Sequence, residues 1–121
     1  MFPVGGYDIC AAVTDEFHLD GGAMFGVVPK TLWGKQVASD ALNRIELVCR
    51  SLIIRGGGRC VLIDLGCGDD WDEKAREIYG FKRLLPCPLR QVLPDVTDVI
   101  ITHLHFDHVG GASYADAAGE P

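Results

Sequence analysis

The spacing of apolar and polar residues changes several times along the chain, and each change marks an element. Tyr7 to His18 reads as a strand ended by Asp20-Gly21-Gly22, and Ala23 to Val28 is a short apolar run stopped by Pro29, so the two runs predict a hairpin. Residues 30 to 44 are polar without strong periodicity, which predicts a loop with one helical turn that could cover a site. Glu46 to Arg55 and Arg59 to Leu65 are β-rich runs joined by Gly56-Gly57-Gly58, the pattern of an antiparallel hairpin with both strands largely buried. Asp69 to Tyr79 starts acidic, and Trp71, Ala75, Ile78 and Tyr79 recur at helical spacing before Gly80, predicting a short amphipathic helix. A second helix is expected within Leu84 to Leu93, confined to its later residues by Pro86 and Pro88. Asp98 to Thr102 reads as a buried strand, and the residues from Gly110 onward as the opening of another helix. The pattern shows no internal repeat, low-complexity segment or domain linker.

Composition adds limits to this picture. The chain has 121 residues, 48% of them hydrophobic and 23% charged, which describes one globular domain or a piece of one. Acidic residues outnumber basic ones 17 to 11, a net charge of -6, and no Lys/Arg cluster interleaves with aromatics. Nucleic acid and anionic membranes are therefore poor partners. The amino terminus lacks the pattern of a secretory signal, and no segment approaches membrane-spanning length. Cys10, Cys49, Cys60, Cys67 and Cys87 make an odd number without CxxC spacing, which reads as buried thiols in a reducing, cytoplasmic compartment.

The candidate chemistry lies at the end of the last strand. Three of the four histidines fall within THLHFDHVGG as His103, His105 and His108, with Asp107 between the last two. If the strand continues, its period of two sets His103 and His105 on one face with their imidazoles converging, and a turn then swings Asp107 and His108 inward. Neutral imidazoles and a carboxylate suit zinc, although two histidines from one strand leave a first metal in need of further ligands. Gly110 and Gly111 permit backbone dihedrals that other residues resist, so the chain can leave the cluster sharply. Satisfied core or surface histidines are the plainer alternative, a reading that suits the isolated His18 better than this cluster.

The run THLHFDHVGG resembles the metal-binding motif of the metallo-β-lactamase superfamily, an α/β (αββα) sandwich that includes lactonases, glyoxalase II and phosphotriesterase-like hydrolases. Upstream, FHLDGGAMFGVVPKTLWGK, NRIELVCRSLIIRGGGRCVLIDLG and DDWDEKAREIYGF resemble the amino-terminal half of its lactonase-like members. The resemblance implies a zinc-dependent hydrolase of a small-molecule ester or lactone, acting through a metal-bound hydroxide. His103 and His105 would then be ligands of a first zinc, and Asp107 and His108 of a second. Asp107 would also orient the hydroxide or carry a proton. Asp64 resembles the structural aspartate beneath such a site, which would orient the ligands. Met24, Phe25 and Val27 fall where a substrate-facing loop is expected, although simple packing suits an apolar hairpin tip equally.

The family also draws a histidine, a bridging aspartate and another histidine from positions downstream of this motif, and no histidine follows His108 here. Residues 1–121 are accordingly expected to be a partial domain, truncated after HxHxDH. Such a piece is expected to bind zinc weakly, to hydrolyse little and to expose an apolar sheet face open to dimerisation or self-association. Two rival readings are weaker. VLIDLGCGDD resembles the cofactor loop of S-adenosylmethionine-dependent methyltransferases, but position 70 is Asp where that loop continues with Gly. A non-catalytic metal-bound module completed by another subunit is the other.

Overall fold

The computed structural model describes residues 1–85 and 94–113. The strands are β1 (Phe2–Val4), β2 (Tyr7–Asp20), β3 (Arg44–Gly56), β4 (Arg59–Ile63), β5 (Lys82–Arg83) and β6 (Asp98–Ile100). The helices are α1 (Gly21–Phe25), α2 (Lys30–Trp33), α3 (Glu73–Tyr79) and α4 (Phe106–Val109), followed by a 3-10 turn over Gly110–Ala112. Together they make one mixed sheet in the order β1-β2-β3-β4-β6, with β5 pairing β2 at Asp15 and Glu16. No helix of the described residues is long and apolar enough to cross a membrane.

The expected hairpin around three glycines is β3–β4. Gly56 pairs with Arg59, and Gly57 and Gly58 both take positive φ, the two-residue turn whose twist matches that of its strands. The same turn at Gly5-Gly6 forms the β1–β2 hairpin, which the sequence reading did not anticipate. The hairpin expected from Tyr7 to Val28 is absent. β2 runs on to Asp20 and pairs with β3, and the chain then enters α1, because the Asp20 carboxylate accepts from the Ala23 N–H at 2.7 Å and caps a helix there. Trp33 is buried against Gly21 and stacks on Phe25, with ring centroids 4.9 Å apart, so the segment from 30 to 44 begins with the expected helical turn.

A bulge between Val13 and Asp15 governs the sheet's two faces. On β3 the odd positions Ile45, Cys49, Ser51 and Ile53 are buried along the whole strand. On β2 the matching positions are even before the bulge, Cys10 and Ala12, and odd after it, Asp15, Phe17 and Leu19. The extra residue, Thr14, reverses the alternation and keeps one continuous inner face. Around Phe17, Cys49 and Cys67 this face carries a cluster that includes Leu19, Leu47, Trp71, Phe81 and Phe106.

α3 forms inside the predicted helix, from an Asp72 cap on Ala75 N at 2.6 Å to a left-handed Gly80. Arg44 donates to the carbonyls of Glu77 and Ile78, closing the end of that helix. β6 is shorter than expected and half exposed rather than buried. Among the described residues it is paired on one side only, parallel to β4, and Val99 and Ile100 are each 50% exposed. Most of the predicted helix within Leu84 to Leu93 lies outside the described residues, as does the chain beyond Ser113, and from Gly110 only the 3-10 turn is described.

Candidate functional site

Beyond β6 the chain turns through Thr102 to His105 and enters α4. What holds it there is an aromatic anchor, for Phe106 contacts Phe17, Trp71 and Tyr79 with ring centroids 5.3 to 5.5 Å away. The contacts with Phe17 and Trp71 are edge-on, which fixes orientation as well as position. Phe106 therefore sets α4 against the inner face and leaves its neighbours Asp107 and His108 half-buried beside the exposed His103 and His105. The ring of His103 lies 4.6 Å from that of His105 and 3.9 Å from that of His108. All four predicted ligand residues thus fall in one cluster.

Beneath the cluster sits Asp64, with φ at +59°, a left-handed backbone that Asp tolerates better than most residues. Its N–H continues the ladder to the Ile100 carbonyl. Its carboxylate accepts from the Thr102 N–H at 2.9 Å, from the Thr102 hydroxyl at 2.8 and 2.9 Å, and from His108 Nδ1 at 2.7 Å. Burial alone would raise the Asp64 pKa, but the bonds from Thr102 and His108 outweigh it and hold the carboxyl below its usual range. The group stays ionised, an acceptor for every donor around it.

This arrangement assigns protons to imidazoles. His108 Nδ1–H is committed to Asp64, which leaves Nε2 as a lone-pair donor. The Thr102 hydroxyl gives its hydrogen to Asp64 and lies 3.1 Å from His103 Nδ1, so it accepts from that nitrogen and leaves His103 Nε2 free. His108 Nε2 faces Asp107 Oδ2 at 3.3 Å. Tetrahedral zinc with N and O ligands at about 2.0–2.2 Å holds neighbouring ligand atoms about 3.3–3.5 Å apart, so this pair already spans one edge of a metal's coordination shell. Imidazole nitrogens and a carboxylate oxygen are the donor types such an ion takes, and His108 and Asp107 stand at ligand spacing.

Thr102 was not singled out from sequence, and its only signal there is a hydroxyl just before the first histidine. Gly110 and Gly111 act differently from expectation. Gly110 has ordinary helical dihedrals, φ -56° and ψ -31°, and the requirement is space. A Cβ at Gly110 would strike the Cys67 carbonyl, one at Gly111 the Leu65 carbonyl, and one at Gly68 the Gly110 carbonyl. The loop after β4 is thus packed backbone to backbone under the motif and tied to it by the Leu65 N–H bond to the His108 carbonyl at 2.8 Å.

A groove of about 460 Å³ opens beside the cluster, lined by Phe17, Leu19, Met24, Leu47, Val48, His105, Phe106 and Asp107. Met24 reaches it from α1. The other two residues of the expected substrate loop do not line it, since Phe25 packs on Trp33 and Val27 projects into solvent. His18, expected to be an ordinary strand residue, lies on β2 opposite Glu46.

The sequence profile of the metallo-beta-lactamase superfamily matches residues 44–120. The crystal structure of a probable metal-dependent hydrolase from Staphylococcus aureus superimposes with a TM-score of 0.78 and 34% sequence identity, over 91% of this chain and 42% of that one. The chain therefore spans less than half the length of that structure. No curated protein matches the chain.

Proposed function

The chain belongs to the metallo-beta-lactamase superfamily, and from that premise we propose that His103, His105, Asp107 and His108 hold zinc, in a two-ion arrangement with further ligands, for hydrolysis of an uncharged small-molecule ester or lactone. One observation carries the reading. Asp64 occupies His108 Nδ1 and Thr102 faces His103 Nδ1, so both rings are set with Nε2 available, that of His108 beside the Asp107 carboxylate. Zinc held there supplies a Lewis acid and lowers the pKa of water to about 7.

The chain's own residues do the rest. Asp64 and Thr102 keep the imidazoles in the ligating tautomer, and Phe106 fixes the helix that bears Asp107 and His108. With Oδ2 beside His108 Nε2 as a ligand atom, the other carboxylate oxygen of Asp107 is the one left to hold a proton and pass it to a leaving oxygen. Phe17, Leu19, Met24 and Leu47 give the groove an apolar wall, and no Lys or Arg lines it among the described residues. Such a wall suits the hydrocarbon part of a lactone or carboxylic ester better than a multiply charged phosphate. This supports a lactonase-like specificity, and the odd, dispersed cysteines favour a reducing cytoplasm.

The test is hydrolysis by the protein as its gene encodes it, metal-depleted and zinc-restored, with lactones, aryl esters and phosphotriesters as substrates. Zinc-dependent turnover of lactones or esters is expected, with Asp107→Asn lowering kcat by about 100-fold or more and moving KM little. Turnover that survives chelation, or Asp107→Asn with unchanged kcat, contradicts the reading. Preference for the phosphotriester contradicts the substrate class alone.

A further inference from the structure

A second set of metal-ligating side chains meets inside the sheet. Asp15 on β2, Cys49 on β3 and Cys67 in the loop after β4 are 4%, 6% and 2% exposed, and one donor atom from each lies within 4.8 Å of the others. Asp15 and Cys49 are cross-strand partners, and the bulge at Val13–Asp15 is what turns Asp15 to this face. The two Sγ atoms are 3.2 Å apart, closer than unbonded sulfurs normally rest, and share a thiol hydrogen.

The cluster is short of partners. Among the described residues the Asp15 carboxylate accepts one bond, from the Cys67 N–H at 3.2 Å, and has no cationic side chain in ion-pair range. A carboxylate withdrawn from water on one long bond is costly to bury. Beside it Thr14 Oγ1 is buried with no hydrogen-bond partner among the described residues. A Cβ at Gly66 would strike both Thr14 Oγ1 and Asp15 Oδ2, so glycine keeps the space between these oxygens and the loop open. The Cys67 thiol is pushed well up by its bond to Cys49, then by burial and by Asp15, a direction that a bound cation reverses.

We propose that Asp15, Cys49 and Cys67 bind one thiophilic divalent cation of the zinc class, with the Thr14 hydroxyl at the fourth position, as a structural site separate from the histidine cluster. Each ion enters as M²⁺ and displaces two thiol protons to solvent, leaving two thiolates and one carboxylate around it. Tetrahedral zinc with Zn–S of about 2.3 Å needs sulfurs about 3.7 Å apart, so the cysteine pair opens by roughly half an ångström. Two strands and the loop are thereby fastened together. That loop is the one packed under His108 and Gly110, so the ion braces the floor of the histidine cluster.

Cobalt(II) titration of the reduced full chain tests this, because thiolate ligation gives an intense near-ultraviolet charge-transfer band that imidazole and carboxylate ligation do not. The band is expected in the wild type, retained in His103→Ala/His105→Ala, and lost in Cys49→Ser/Cys67→Ser with the circular dichroism unchanged. Asp15→Asn keeps both thiols and is expected to lower cobalt affinity about tenfold or more. It decides the question should the double cysteine variant fail to fold. A band that is absent, that survives loss of both cysteines or that disappears with the histidines overturns the proposal, as does unchanged affinity in Asp15→Asn. A Cys49–Cys67 disulfide in the purified protein also overturns it.

Discussion

Replacing Asp64 by Asn is the sharpest perturbation of the histidine cluster, since it keeps the shape and removes the charge and one acceptor. One amide oxygen can still accept, but the NH2 group then faces either the Thr102 N–H, if it replaces Oδ1, or His108 Nδ1–H, if it replaces Oδ2, bonds of 2.9 and 2.7 Å in the wild type. A hydrogen bond to a charged group contributes about 1.5–3 kcal/mol, and a buried donor left unmade costs about 1–3 kcal/mol. The metal-free variant is therefore expected to lose about 3–5 kcal/mol of stability at neutral pH. His108 can recover part of this by moving its proton to Nε2, but that nitrogen is then blocked as a ligand. Metal affinity accordingly falls about 10–100-fold. The sign with pH follows from the depressed Asp64 pKa. Its contribution is complete above the unfolded value of about 3.9 and is lost as pH falls through the lower folded value. Urea unfolding of the metal-free proteins measures this directly, with a constant gap near neutrality that closes below about pH 4. Equal midpoints at neutral pH, or a gap that widens on acidification, would refute the reasoning.

Other parts of the site yield further expectations. Gly110→Ala forces a methyl group onto the Cys67 carbonyl and should destabilise the protein by about 1–3 kcal/mol in urea, while lowering zinc affinity because the loop and motif must separate. An unchanged midpoint would show that the backbone contact is dispensable. Met24→Ala should raise KM for an apolar substrate several-fold through lost groove wall, and Val27→Ala should leave it unchanged because Val27 is fully exposed. Equal effects of the two would remove Met24 from the substrate site.

Sequence carried a large part of this, for physical reasons that differ by element. The β3–β4 hairpin was legible because two glycines dictate the turn and the flanking runs are apolar. The gathering of His103, His105, Asp107 and His108 was legible because three histidines and an aspartate fall within six residues at the end of a strand. The run from Tyr7 to Val28 misled because Asp20-Gly21-Gly22 serves a helix cap as readily as a turn, and only the Asp20 bonds to Ala23 and Asn43 decide between them. The reversal at Thr14 could not be read, since a bulge shows only against its partner strand. Gly110 was assigned the right importance for the wrong reason, because close approach of two distant backbone segments leaves no local trace.

The central claim is that the HxHxDH side chains take a metal through nitrogens preset by Asp64 and Thr102. Nitrogen-15 NMR of the histidine rings during zinc titration reads it atom by atom. The account predicts that His108 holds its proton on Nδ1 before and after zinc, that zinc moves Nε2 of His103 and His108 together with a His105 nitrogen, and that His18 stays still. Zinc-induced shifts at His18 alone, or a His108 proton resident on Nε2 in the metal-free protein, would contradict it.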